Sequence, residues 1–255
     1  GYGAVHLNPS LQFFALLRDG ALLLAAKKRR CKVLVLFHGW DMSVQQKLSG
    51  WKLRWFVRVF GRADAICVLS SASAQWLRDR HIAAPITVIS TAVEDDLRDK
   101  TARERREHAV PDILFLARVE KVKGVFELLE AYRLLRSRGV TARLTIAGSG
   151  AALDEVRMRV RRDGIPDVDC PGYVTGDDKI KCFAAADCYC LPSSHGEGMP
   201  ISVLEALYCR IPVLTRPVGG LPDIIDDGVN GMLLDTLAPE AWAAALEKVV
   251  CDPAT

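Results

Sequence analysis

Seven short apolar runs recur along the chain, at Val33–Phe37, Ala65–Leu69, Ile86–Ile89, Ile113–Leu116, Leu144–Ala147, Cys188–Leu191 and Ile211–Leu214. They are strand-length and apolar at consecutive positions instead of alternate ones. A strand with that pattern is buried on both faces, which happens in parallel sheets covered by helices. Between the runs lie amphipathic stretches of helical spacing, at Val125–Ser137, Leu153–Arg162, Ile201–Cys209 and Pro239–Val250. Alternation of such strands with helices defines an α/β fold.

The rhythm breaks once. Residues 94–108 are charged and nearly free of large apolar side chains, and Pro111 precedes a fresh buried strand. This break predicts two Rossmann-like parallel-sheet domains, 1–108 and 109–255. The front domain reads as incomplete, because its first legible strand is Val33–Phe37 and only three strands precede the break. The chain also stops just after one helix, at Asp252-Pro253, so either this is a fragment or a partner supplies the missing strands.

Half of the 255 residues are hydrophobic and 25% are charged, which excludes a disordered or low-complexity chain. No apolar run is long enough to cross a membrane, and Gly1–His6 does not read as a signal peptide. Eight scattered cysteines fit reduced thiols in a cytoplasmic protein better than a disulfide scaffold. Charge is uneven: residues 1–108 hold 18 Lys and Arg against 10 Asp and Glu, while residues 109–255 hold 16 against 21. The front half either faces an anionic surface or acceptor, or carries an ordinary solvated basic surface.

The densest chemical signal is Ser193-Ser194-His195-Gly196-Glu197-Gly198-Met199-Pro200-Ile201-Ser202-Val203-Leu204-Glu205. It follows a buried strand and opens a helix, with Pro200 fitting the first turn. In open parallel sheets, ligands bind beyond the carboxyl ends of strands, and a helix N-terminus there suits a phosphate. Glu197 and Glu205 either touch different parts of one ligand or are a capping carboxylate and a surface glutamate. A second signal is Ala117-Arg118-Val119-Glu120-Lys121-Val122-Lys123-Gly124, directly after the strand Ile113–Leu116. Arg118 and Lys123 either grip two phosphates from one loop or belong to a solvated basic turn.

Together, Arg118, Lys123, Glu197 and Glu205 resemble the signature of the family 4 retaining glycosyltransferases of the GT-B fold. That signature is a strand, then Arg and Lys in a short loop, and later two glutamates separated by seven residues. Gly172-Tyr173-Val174, Ala186-Asp187, Val218-Gly219-Gly220-Leu221-Pro222-Asp223 and Asp227-Gly228-Val229-Asn230-Gly231 also match. The resemblance covers most of residues 112–250 and is weaker over 31–93. It implies transfer of a sugar from a UDP-, GDP- or ADP-sugar donor to a carbohydrate or lipid-linked acceptor, with retention of configuration, in polysaccharide or glycolipid biosynthesis.

The same resemblance implies residue roles. Arg118 and Lys123 would neutralise the diphosphate leaving group, with backbone N–H groups of Ile201 and Ser202 assisting. Glu205 would hold the ribose hydroxyls. Glu197, with the N–H groups of Gly198 and Met199, would hold the donor sugar. The base would sit near Gly148, Gly150, Tyr173 and Val174. His38 would reach the donor sugar or acceptor, although a strand-end histidine is also an ordinary structural residue. The resemblance implies neither a metal nor another cofactor, and nucleic acid is not an expected partner. Family members usually have a first strand with a glycine-rich loop and further C-terminal helices, neither of which is legible in this sequence. Two rival readings are a nucleotide-sugar epimerase of the same architecture and a donor-binding module inactive as a fragment.

Other signals carry less. Asp167-Val168-Asp169 has a D-x-D form, but hard cations want more converging oxygens. Cys188 and Cys190 are expected on one face of a strand as small core thiols. Gly148-Ser149-Gly150 lacks the third glycine of a dinucleotide fingerprint. Trp51–Phe60 is aromatic and basic at helical spacing. It is either a peripheral contact with the inner face of a membrane or with a lipid-linked acceptor, or a core helix with snorkelling cations.

Overall fold

The computed structural model describes residues 3–38, 40, 45, 48–105, 109–194 and 196–251. Gly39, Arg106–His108, His195 and Asp252-Pro253, which the sequence readings include, lie outside the described residues. The chain forms two compact units. The first is Gly1–Thr91 with His195–Met199 and Gly219–Asp223; the second is Ala92–Ser194, Pro200–Val218 and Ile224–Thr255. Each is α/β with one parallel sheet, as expected.

In the first unit, β1 (Ala4–Leu7), β2 (Lys32–Phe37), β3 (Ala65–Val68) and β4 (Ile86–Val88) pair in that order, all parallel. Helices α1 (Phe13–Lys28), α2 (Gly50–Phe60) and α3 (Ser71–Arg78) connect them. The expectation that the first strand is Val33–Phe37 is corrected: β1 lies before it, pairing Val5 with Val33 and Leu7 with Val35. β1 was illegible because three of its four residues are exposed or half-buried, so it lacks the unbroken apolar run of a central strand. The core gathers Val33, Val35, Phe37, Phe56, Phe60, Ile66 and Leu77, with Phe37 packed on Trp40, Phe56 and Phe60.

The segment 94–108 is more than a linker. It contains α4 (Leu97–Glu104), which packs in the second unit with Leu97 and Thr101 buried. The second sheet comprises β5 (Asp112–Leu116), β6 (Arg143–Ala147), β7 (Val168–Gly172), β8 (Cys188–Leu191), β9 (Val213–Thr215) and β10 (Gly231–Leu233), in the order β10-β9-β8-β5-β6-β7. All its pairings are parallel. Helices α5 (Val125–Ser137), α6 (Leu153–Arg162), α7 (Gly176–Ala185), α8 (Ile201–Tyr208) and α9 (Pro239–Cys251) complete the unit. α4 contacts α7 and α8. The central strands β5 and β8 are buried at every position, as their unbroken apolar sequences require. Strand order reverses between β5 and β8, and such a reversal opens a crevice at the carboxyl ends of the strands.

Candidate functional site

In the second unit the loops that follow β5 and β8 leave the sheet side by side at this reversal. After β5 the chain passes Arg118 and enters a short 3-10 turn, Lys121–Lys123. Gly124 follows with φ of +76°, a left-handed conformation that favours glycine. A side chain there would run into the carbonyl of Pro192, just beyond β8, so only glycine lets the loops approach this closely. Hydrogen bonds join them: the Ser194 N–H donates to the Val122 carbonyl at 2.9 Å, and the Ser193 and Ser194 hydroxyls donate to the same oxygen. The Tyr189 hydroxyl donates to the Leu116 carbonyl at 2.9 Å and lies 2.7 Å from Ser202 Oγ. This phenol is a strut from the end of β5 to the first turn of α8.

The loop after β6 is tied to the same place. Val119 N–H donates to the Ser149 carbonyl at 2.9 Å, and Ala152 N–H to the Val119 carbonyl at 3.0 Å. Gly148 and Gly150 lie in this loop. Tyr173 and Val174 follow β7, and the Tyr173 ring is 75% exposed. The structure therefore brings Arg118, Lys123, Gly148, Gly150, Ile201 and Ser202 to one end of the second sheet.

The charged residues there differ in setting. Lys123 is buried, an unusual state for an ammonium that requires compensation. Arg118 is exposed, and its guanidinium pairs with Glu120 at 2.8 Å. Glu205 is buried on α8, where its Oε1 accepts a 2.7 Å hydrogen bond from Lys179 Nζ of α7. Glu205 is thus no surface glutamate. Lys179 was missed from the sequence, since its partner lies 26 residues away and only the packing of α7 and α8 brings them together. Next to Glu205's turn, the Cys209 thiol donates to Thr101 Oγ1 of α4 at 3.5 Å, and burial raises its pKa.

Pro200 is the residue before α8, with φ of −64° and ψ of 120°, and not part of its first turn as expected. Among the described residues no side chain caps this helix, so its first N–H groups keep their positive end unneutralised by a capping oxygen.

The remaining residues of the sequence signature belong to the first unit. Glu197 is buried, and its carbonyl accepts from the Gly220 N–H at 3.1 Å. Gly198 lies against the His38 carbonyl: a Cβ on it would come within 2.7 Å of that oxygen. Met199 is buried and His38 is exposed at the end of β2. Thus His38, Glu197 and Gly198 form a second local group. Asp223 Oδ2 accepts from the Ser71 N–H at 2.6 Å, so the 3-10 turn Leu221–Asp223 caps α3.

Signals set aside earlier have structural explanations. Asp167 pairs with Arg136 at 3.0 Å. Cys188 and Cys190 do share one face, with Sγ atoms 3.8 Å apart in the core.

A second sheet whose strand order reverses between β5 and β8 places the chain in the doubly wound α/β class, and the sequence narrows it to a family. Residues 98–255 match the family described as Glycosyl transferases group 1, and residues 8–97 match Glycosyltransferase Family 4. The chain belongs to the glycosyl transferase group 1 family, and its fold is that of GT-B enzymes, as the family resemblance implied. Its relatives include a Salmonella typhimurium glycosyltransferase named for colanic acid biosynthesis, 27% identical over 94% of this chain and 59% of the relative. The D-inositol 3-phosphate glycosyltransferase of Saccharomonospora viridis is 33% identical over 77% of this chain and 49% of that protein. The chain therefore spans about half to three-fifths of the length of these relatives. Among solved structures, Anabaena Alr3699/HepE in complex with UDP and glucose superposes with a TM-score of 0.77 at 20% identity, covering 99% of this chain and 69% of that one.

Proposed function

We propose that this chain is the greater part of a retaining glycosyltransferase that moves a sugar from a nucleotide-diphosphate donor to a carbohydrate or lipid-linked acceptor. The supporting observation is the joined pair of loops at the β5–β8 reversal. It holds Lys123 buried on one loop and leads, through the other, into an uncapped helix bearing the buried Glu205. The UDP named with Alr3699/HepE suits such a site, and the relatives named for colanic acid and amylovoran biosynthesis suggest polysaccharide assembly.

In this reading Lys123 and Arg118 stabilise the diphosphate as the bond to the sugar breaks, where negative charge develops. Arg118 exchanges Glu120 for a phosphate oxygen. The N–H groups of Ile201 and Ser202 add the helix end. Glu205, held by Lys179 through one oxygen, offers the other to the ribose hydroxyls. The base lies by Gly148, Gly150, Tyr173 and Val174. Glu197, with Gly198 and Met199, holds the sugar, and His38 serves sugar or acceptor. The reaction needs no metal, the enzyme works in the cytoplasm, and α2 supplies a peripheral membrane contact.

A thermal-shift screen against UDP-, GDP- and ADP-sugars tests this. One donor at about 100 times its dissociation constant raises stability by about 2.7 kcal/mol. The shift is expected to persist in EDTA. Its loss in EDTA and return with Mn²⁺ would bring back Asp167 and Asp169 as ligands, and no shift with any donor would refute the reading.

A further inference from the structure

The first unit carries a basic surface for which its own packing gives no reason. Residues 1–91 hold 13 Lys and Arg against only four Asp and Glu. Where the unit has acidic partners, it uses them: Asp64 receives both Lys27 and Lys32, and Asp19 receives Arg18. Helix α2 has none. Its sequence, Gly-Trp-Lys-Leu-Arg-Trp-Phe-Val-Arg-Val-Phe, contains three cations and no acid.

Lys52 stands in the first turn, where a cation opposes the helix dipole. Arg54 and Arg58 are four residues apart, so they lie on neighbouring turns of one face and repel each other. Both are exposed, and neither has an ion-pair or hydrogen-bond partner among the described residues. By contrast, Arg159 of α6 and Lys100 of α4 each meet a carboxylate four residues away.

These arginines edge an open groove of about 640 Å³ lined by Leu53, Arg54, Trp55, Val57, Arg58 and Arg80. Arg80 is fixed there. Its guanidinium stacks 3.8 Å from the Trp76 ring centre and donates to the Trp76 carbonyl, while its Nε is buried without a hydrogen-bond partner among the described residues. The groove therefore has an apolar floor and three guanidinium groups. At the N-terminal end of the same helix, Trp51 is 59% exposed and Phe14 is 84% exposed. Both rings pack on Phe13, which Lys52 also covers. Exposed aromatic rings beside unpaired cations match the boundary of a lipid bilayer, where rings enter the headgroup layer and cations meet phosphates.

We propose that the groove of α2 and Arg80 is a docking surface for anionic phospholipid headgroups, with Trp51 and Phe14 as its apolar wedge. This rests on the peripheral membrane contact proposed above and assigns its chemistry: lipid phosphates on Arg54, Arg58 and Arg80. Like charges on one helix face are tolerated because a bilayer carrying many phosphates satisfies them together.

The test is flotation of the full 255-residue chain with vesicles of phosphatidylcholine alone, or of phosphatidylcholine and phosphatidylglycerol in equal parts. Binding to the mixed vesicles, weakened by salt, is expected. R54Q/R58Q should lower that partition by about 30-fold, since each basic side chain at an anionic surface contributes about fivefold. W51S should weaken binding in high salt as well, because its contribution is apolar. Circular dichroism melts of R54Q/R58Q should match the parent, as both side chains are exposed, and W51S, which gives up one ring contact with Phe13, should remain folded at the assay temperature. Equal binding to both vesicle types, or an unchanged partition for R54Q/R58Q, would overturn the proposal. So would displacement by soluble glycerol phosphate or by a polyglutamate peptide, which would assign the groove to a free anion or an acidic protein. The nucleotide-induced thermal shift of R54Q/R58Q should equal the parent's, so failure here is separable from failure of the donor site.

Discussion

Both sheets are parallel throughout and are joined mainly by crossover helices, but they grow differently. The first adds β1 to β4 in sequence order; the second grows from β5 to β7, returns to the other side of β5, and continues to β10. Only a reversal sends the chain from two adjacent strands to opposite faces of the sheet, and only there does a parallel sheet open a crevice. The chemistry divides accordingly. The reversal carries the buried Lys123 on its joined loops and the buried Glu205 on the helix beyond, whereas the first sheet's α2 presents Arg54 and Arg58 outward with no partner among the described residues.

The largest effect should come from closing the reversal itself. Gly124→Ala places a methyl group against the Pro192 carbonyl and strains φ, so a loss of about 3 kcal/mol or more is expected in a denaturant melt. Gly139→Ala is the control: it has a similar φ of +85° but open space, so it should cost only about 1 kcal/mol. Equal losses would mean that backbone strain, and not the approach of the two loops, makes Gly124 necessary.

Next comes ligand binding. Lys123→Ala should weaken nucleoside diphosphate binding in calorimetry by about 10- to 100-fold, because a buried charge-assisted contact contributes about 1.5–3 kcal/mol. Met158→Leu, on exposed surface, should change nothing. The two glutamates sharpen the point. Glu205→Gln should weaken free nucleotide, and Lys179→Met should follow it in the same direction. Glu197→Gln should leave nucleotide affinity intact and lower turnover at saturating donor. Nucleotide loss in Glu197→Gln alone would reverse the donor's orientation.

The smallest expected effect is on the first unit's acid stability. The Asp64 carboxylate is held below its ordinary pKa, first by the Lys27 hydrogen bond and then by the Val33 N–H. A carboxylate depressed in the folded state stabilises above its unfolded pKa of about 3.9, and that contribution is lost as pH falls through the lower folded value. Asp64→Asn should therefore flatten the fall in melting temperature at pH below about 4. An unchanged profile would show that α1 and β2 are held by packing alone.

The strands that were hard to read share a position. β1, β7 and β10 are edge strands, paired on one side only. None of the three is among the seven apolar runs of the sequence. An edge strand needs less burial, so β7 carries Asp169 and Pro171, and β10 is three residues long. Central strands such as β5 were plain because both their faces must be apolar. The site divides in the same way. Arg118, Lys123, Glu197 and Glu205 stood out in the sequence through their resemblance to a family signature whose spacing runs along the chain. Tyr189 and Lys179 did not, because their contacts are set by which strands and helices become neighbours. The charged break misled for a related reason: α4 buries only Leu97 and Thr101, too few apolar positions to announce a packed helix.

That helix decides where the chain can be divided for domain exchange. Swapping halves between relatives is a natural way to combine donor and acceptor preferences, and the charged break invites a cut at 108/109. Such a cut would tear α4 from α7 and α8. It would leave Cys209 without Thr101, Asp187 without Arg105, and the Tyr208 hydroxyl without the Asp95 carbonyl. A chimera joined before Ala92 carries α4 with the sheet it covers, and should express as a folded hybrid where the later junction yields an insoluble one.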